Sequence, residues 1–262
     1  MSYFYDKTVL ITGGARGIGY ATAAFLGAQG AKIVLIDILE DKLMNATLNL
    51  TDKGIKAVSL VSDVACFADC ESAVRKTIES FSTLDILINN AGISIVSNLE
   101  YCKAEICRKL IEVNLIGSIN MTIAALEEIK KSKGHIIFVA SVSGIRSIPT
   151  GSIYGASKSA LRSFAEAIRL ELKPYGVHVG VISPGFTTTD PTKTVMKGDG
   201  TLRPINRPPH DTPEDVAKGI ANLIEKRKRE IVLTPLGKLT YLFQRISPSL
   251  LDYLLKDREI QN

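Results

Sequence analysis

Short runs of β-branched and aliphatic residues alternate with longer amphipathic stretches along most of the chain. The runs fall at residues 7–12 (KTVLIT), 32–36 (KIVLI), 57–61, 84–89, 135–140 (HIIFVA) and 177–182. Their near-continuous apolar character is that of strands buried on both faces. Between them lie segments of helical period. A small-residue stretch runs through Gln29, and others cover 39–53, 68–81, 103–131 and 152–173, the last closed by Pro174. Strand and helix in alternation predict a mainly parallel sheet with helices on both faces. Right-handed crossovers make such an α/β sheet doubly wound. No linker interrupts residues 7–182, so 1–262 is expected to be one domain.

After Pro184-Gly185 the rhythm stops. Residues 187–211 are proline-rich, with no clear strand, and a loop of that length in a compact domain is usually functional. It is expected to shape a substrate pocket. Thr212-Pro213-Glu214-Asp215 opens another helix, with Thr212 as N-cap and proline at the first position. That helix is expected to reach about Lys228, with a seventh strand at 231–234. The tail, 236–262, is helical in pattern: Leu239, Leu242, Phe243 and Ile246 form a stripe, Ser247-Pro248 restarts it, and Leu250, Leu251, Leu254 and Leu255 follow. With Tyr241, Tyr253, Lys238, Arg245 and Lys256 it reads either as an amphipathic helix on a membrane surface or as a cover for the substrate loop or a partner subunit.

Composition narrows the classes. The chain is 45% hydrophobic and 23% charged, ordinary for a globular protein. No basic segment followed by a long apolar one opens it, so no secretory signal is expected and the protein is placed in the cytoplasm. No apolar stretch approaches the ~20 residues of a membrane span. Cys66, Cys70, Cys102 and Cys107 lack metal-ligand or redox spacing, and His135, His178 and His210 are dispersed. Buried or half-buried thiols in a reducing compartment are expected, and no metal site. The net charge is +5, but the one dense basic run, 226–229, ends a predicted helix, where cations complement the dipole. It is read as a solvated helix end, not a nucleic-acid patch.

The chemistry sits at the ends of the predicted strands. Gly13, Gly17 and Gly19, with Arg16 and Ile18 between them, form a glycine turn after a strand and before a helix. There, backbone amides can meet a pyrophosphate. Asp37 ends the second strand, where a carboxylate can accept from an adenosine ribose and repel a 2′-phosphate. That favours NAD, although Arg16 in the turn argues mildly for NADP. Asp37 with Glu40 also reads as a helix-capping pair. Asp63-Val64 follows the third strand, as an adenine contact or as the N-cap of the next helix. Asn89-Asn90-Ala91-Gly92 closes the fourth strand, lining the ligand crevice or making an ordinary turn. Asn114 lies in a helical stretch that suits it poorly, either harmlessly exposed or distorting the helix to hold water. Ser141 follows the fifth strand. Tyr154 and Lys158 stand one helical turn apart, and an ammonium beside a phenol lowers its pKa.

In this order the residues resemble the short-chain dehydrogenase/reductase family, single-domain Rossmann oxidoreductases. The match covers 7–234: Thr12-Gly13-x-x-x-Gly17-x-Gly19, Asn89-Asn90-Ala91-Gly92 and Tyr154-x-x-x-Lys158, with Ser141 thirteen residues before the tyrosine. Asn114 matches the family's catalytic asparagine and Pro184-Gly185 the turn beside the nicotinamide. Thr187 and Thr189 match its nicotinamide-side threonines. The resemblance implies hydride transfer between NAD(P) and a secondary alcohol or ketone, with Tyr154 as general acid/base. Ser141 would bind the substrate oxygen. Lys158 would depress the tyrosine pKa and hold the nicotinamide ribose, and Asn114 would anchor a water. A homodimer or homotetramer through the helices of Asn114 and Tyr154 is implied as well. The apolar tail suggests a hydrophobic substrate. Two alternatives remain: an NADPH-dependent ketone reductase, and a nucleotide-binding module without chemistry.

Overall fold

Seven strands make one parallel sheet in the computed structural model, which describes residues 1–187, 194–204 and 211–255. They are β1 (Thr8–Thr12), β2 (Lys32–Asp37), β3 (Ala57–Val61), β4 (Ile86–Asn89), β5 (His135–Val139), β6 (His178–Ser183) and, after a short hairpin, β9 (Glu230–Val232). Their order is β3-β2-β1-β4-β5-β6-β9. The order reverses between β1 and β4, and at such a switch point the crossovers diverge and leave a crevice beyond the strand ends.

Helices α1 (Gly17–Gly27), α2 (Glu40–Thr51) and α7 (Pro213–Glu225) cover one face; α3 (Phe67–Phe81), α5 (Gly117–Ser132) and α6 (Ser152–Leu172) cover the other. The pleat sorts the strand residues between them. Val9, Ile11, Ile33 and Leu35 enter the first core; Leu10, Val34 and Ile36 enter the second. Helix α7 starts as its sequence predicts. The Thr212 hydroxyl accepts from the Asp215 amide at 3.1 Å, and the Asp215 carboxylate accepts from the Thr212 amide at 3.2 Å.

The helical stretch 103–131 holds α4 (Ala104–Ile111) and α5, joined by a π-turn at Glu112–Ile116, where the Gly117 amide returns to Glu112. Three expectations are corrected. The continuous rod Ala104–Ser132 is long and apolar enough to cross a membrane, against the expectation that no stretch approaches that length. It packs on the sheet against α3, α6 and β4, which makes it a core helix. The 187–211 loop contains strands: β7 (Thr194–Met196) and β8 (Leu202–Pro204) pair as an antiparallel hairpin. Strands of three residues are too short to leave a period in the sequence. Cys66 is exposed, not buried.

The tail forms α8 (Pro235–Ile246) and α9 (Pro248–Leu255). Both lie on the side of β9 and α6. Arg146, just after β5, binds Gln244 of α8 and pairs with Asp252 of α9, and the Arg162 guanidinium of α6 lies 5.6 Å from the Tyr241 ring centre.

Candidate active site

Because the strands are parallel, every strand end that carried candidate chemistry meets at one edge of the sheet. The glycine turn follows β1 there. Gly13 and Gly17 have φ of +64° and +58°, in the left-handed region. A Cβ on Gly19 would stand 2.2 Å from the Gly13 carbonyl oxygen, so only glycine lets the helix start this close to the turn. The N-cap of α1, Arg16, makes no side-chain capping bond, and no acid occupies the first turn. The leading amides of α1 are therefore left for an anion, and the residues fit a dinucleotide pyrophosphate.

Asp37 is tied to that turn. Its Oδ2 accepts from the Ala15 amide at 3.1 Å and its Oδ1 from the Leu39 amide at 3.1 Å. The N-cap of α2 is Leu39, so Asp37 does not cap that helix; it holds the turn against the end of β2. Asp63 is exposed and its Oδ1 accepts from Ala65, while the N-cap of α3 is Cys66, so the capping reading of Asp63 does not hold either. Val64 is buried, and its carbonyl receives the Asn120 amide at 3.1 Å.

The ends of β1 and β4 are stitched together by Thr12. Its hydroxyl accepts from the Asn90 and Ala91 amides at 2.9 and 2.8 Å, and the Asn90 side chain donates to the Thr12 and Gly13 carbonyls. This fixes the glycine turn relative to Asn90-Ala91-Gly92. Next to them, Asn114 is fully buried in the π-turn. Its Oδ1 accepts from the Ile93 amide at 2.8 Å, and its Nδ2 donates to the Ile93 carbonyl and the Ser157 hydroxyl. The harmless, exposed reading of Asn114 is thus excluded. The extra residue of the π-turn widens the coil at this side chain.

Ser141, Tyr154 and Lys158 come together between β5 and α6. The buried Ser141 hydroxyl accepts from the Ser143 amide at 3.1 Å and lies close enough to the Tyr154 phenol to draw its pKa down. Lys158 is buried, and its ammonium donates to the Val139 carbonyl at 2.9 Å, 6.0 Å from the centre of the Tyr154 ring. Gly92 lies beside it: a Cβ there would be 3.5 Å from Lys158 Nζ and 3.2 Å from Asn114 Oδ1. Burial pushes the Lys158 pKa down to about 8. Burial likewise raises the Tyr154 phenol above its ordinary value, against the pull of Ser141. The net direction is opposite to the depressed phenol expected from the lysine one turn away, because desolvation of the phenol itself dominates.

On the far side, the Gly185 amide donates to Asp211 Oδ2 at 2.8 Å, and the buried Thr187 hydroxyl donates to the Gly185 carbonyl at 3.2 Å. Thr189 lies outside the described residues. Sequence reading missed Asp211, which pins the Pro184-Gly185 turn, and gave no role to the Thr12 hydroxyl. It also passed over Thr150, a β-branched residue at φ +62° whose buried hydroxyl has no hydrogen-bond partner among the described residues. Backbone strain of this kind collects at ligand sites.

Known proteins resemble this chain along most of its length. Residues 7–200 match the family described as short chain dehydrogenase. A frog (Xenopus tropicalis) protein, dehydrogenase/reductase SDR family member 7B, is 32% identical over 245 residues, covering 90% of this chain and 79% of its own. Among solved structures, a short chain dehydrogenase/reductase from Burkholderia phymatum in complex with NAD superposes with a TM-score of 0.83 at 24% identity, over 100% of this chain and 99% of that one. An alcohol dehydrogenase from Thermococcus sibiricus complexed with 5-hydroxy-NADP gives 0.76 at 26%, over 87% of this chain and 96% of that one.

Proposed function

The chain belongs to the short-chain dehydrogenase/reductase family of Rossmann-fold oxidoreductases, and from that membership we propose that it interconverts a secondary alcohol and a ketone with Tyr154 as general acid/base. The observation that carries the reading is the gathering of Ser141, Tyr154, buried Lys158 and Asn114 at the edge that holds the glycine turn. A bound nicotinamide supplies or accepts the hydride. The protein's share is to hold the substrate and move one proton. Ser141 holds the substrate oxygen, and the Tyr154 hydroxyl gives up or takes its proton. Lys158 holds the nicotinamide ribose, and its charge opposes the burial that raises the phenol pKa. Asn114 fixes the Ile93 backbone and anchors the water that links Lys158 to solvent. Thr187, with Pro184-Gly185, would flank the nicotinamide.

NAD is the favoured cofactor, because Asp37 sets a carboxylate where a 2′-phosphate would lie. A second reading, an NADPH-dependent ketone reductase, draws on exposed Arg16 in the same turn. The same proposal makes the protein a cytoplasmic homodimer or homotetramer acting on a hydrophobic small molecule. Turnover across steroid, fatty-acyl, sugar and small cyclic alcohols and ketones, run with each cofactor pair, tests both parts. No turnover anywhere in the panel with tight NAD(H) binding overturns the reaction; tighter binding of NADP(H) overturns the cofactor preference.

A further inference from the structure

Helix α8 is built inside out. A helix on the surface of a globular protein turns its apolar stripe to the core. In α8 the inward residues are small or polar. Gly237 is buried against Val142, where a Cβ would stand 2.6 Å from Cγ1; Tyr241 faces Arg162; Gln244 accepts from Arg146 at 3.3 Å. The outward residues are Leu236, Leu239, Leu242 and Ile246, exposed by 52%, 49%, 52% and 69%. Their spacing of three, three and four keeps them on one line of the helix. Leu250 and Tyr253 of α9, the helix packed on α8, are exposed as well. Contiguous apolar surface of this kind marks a contact site.

The charges around the stripe choose the occupant. Exposed Lys238 flanks it and shares a cleft with Lys228. The nearby carboxylates are already engaged: Glu230 by Arg162 at 2.9 Å, and Asp252 by Arg146. An aliphatic face with a cationic flank suits an interface between acyl chains and anionic headgroups. A second copy of this chain suits it less, since a two-fold contact sets each basic flank close to its own copy.

We propose that α8 and α9 form a docking surface for an anionic lipid bilayer, with the leucine stripe in the acyl boundary and Lys238 and Lys228 against lipid phosphates. Docking does not depend on the reaction proposed above. Its consequence for substrate does: α8 packs on Val142, the neighbour of Ser141, so a docked protein holds its site beside a lipid reservoir.

Co-sedimentation of the full chain with phosphatidylcholine vesicles, with and without phosphatidylglycerol, tests the proposal. Binding is expected to the anionic vesicles, at least tenfold weaker for the double variant Leu239→Ser/Leu242→Ser, and weaker for Lys238→Glu and in high salt. Circular dichroism checks that the variants fold. The chain contains no tryptophan, so Leu242→Trp is a single reporter. Its emission should shift to the blue on anionic vesicles and be quenched by brominated acyl chains. Absence of vesicle binding by the unmodified chain overturns the proposal, as does binding indifferent to the double substitution. A blue shift that follows protein concentration without vesicles also overturns it, and assigns the face to self-association.

Discussion

The two ends of the parallel sheet treat buried polar groups in opposite ways. At the amino end of β5 and β6, a closed chain of hydrogen bonds uses every ring nitrogen. His178 Nε2 lies 2.8 Å from the Lys228 carbonyl, which can only accept, so Nε2 carries a proton. In the neutral ring His178 Nδ1 is then an acceptor, His135 Nδ1 donates to it at 3.0 Å, and the Tyr3 hydroxyl donates to His135 Nε2 at 2.7 Å. At the carboxyl end, Lys158 is buried on one carbonyl, the Tyr154 phenol is held above its ordinary pKa, and Thr150 keeps a strained backbone and a hydroxyl without a partner among the described residues. One end is satisfied and stabilising; the other holds groups in states that cost stability and suit a reaction.

The largest test of this contrast is Tyr154→Phe. Turnover should fall by about three orders of magnitude while NAD(H) affinity, read by calorimetry, stays within a few-fold. Retained turnover would remove the tyrosine from the chemistry.

At the opposite end the effect is on stability. Burial, with His178 alongside, holds His135 at about 3, and burial lowers His178 too. The unfolded chain binds these protons first, so their contribution is complete above about pH 6.5 and lost as pH falls toward 3. Urea unfolding should lose on the order of 4 kcal/mol across that window. His135→Phe should be less stable at pH 7 and show a shallower acid slope. An unchanged slope would mean that the pair does not govern the acid limb.

Lys158→Met should separate the two properties at the catalytic end. The lysine pKa is lowered to about 8 by burial. Below pH 8 its charge opposes folding in full, and the penalty fades between 8 and 10.5. The variant should therefore lose turnover yet gain roughly 1–3 kcal/mol at pH 7, a gain that vanishes at alkaline pH. A loss of stability at pH 7 would contradict the contrast. The smallest effect belongs to Thr150→Gly, expected to gain about 1 kcal/mol in thermal unfolding by relieving the left-handed backbone and removing the orphaned hydroxyl. If Thr150 only packs, kinetic constants will not move; if it meets substrate, KM rises and Thr150→Ser restores it.

What could be read from the sequence was chemistry compressed into a few adjacent residues. The glycine turn, Asp37 at a strand end and the Tyr154–Lys158 helical turn each announce themselves within a handful of positions, and parallel strands then bring them to one edge. Contacts between distant segments left no such mark. Asp211 holds the Gly185 amide across 26 positions of sequence. The Tyr154–Lys158 spacing gives no sign that the ammonium rests on the Val139 carbonyl of the neighbouring strand. The leucine spacing of α8 predicts an amphipathic helix but is silent on which face turns outward; that depends on Gly237, Tyr241 and Gln244 finding Val142, Arg162 and Arg146.

The π-turn at Glu112–Ile116 also acts as a phase shift. One surplus residue advances everything beyond it by about 100° around the axis, so α4 and α5 present faces that no single periodic pattern could specify. Deleting one residue there would restore a regular spiral and rotate one half of Ala104–Ser132 against the other. Either Asn114 would leave Ile93, or α4 would leave α6. The spare residue is a fixed gear offset between the rod's two halves, and the asparagine is the tooth it keeps engaged.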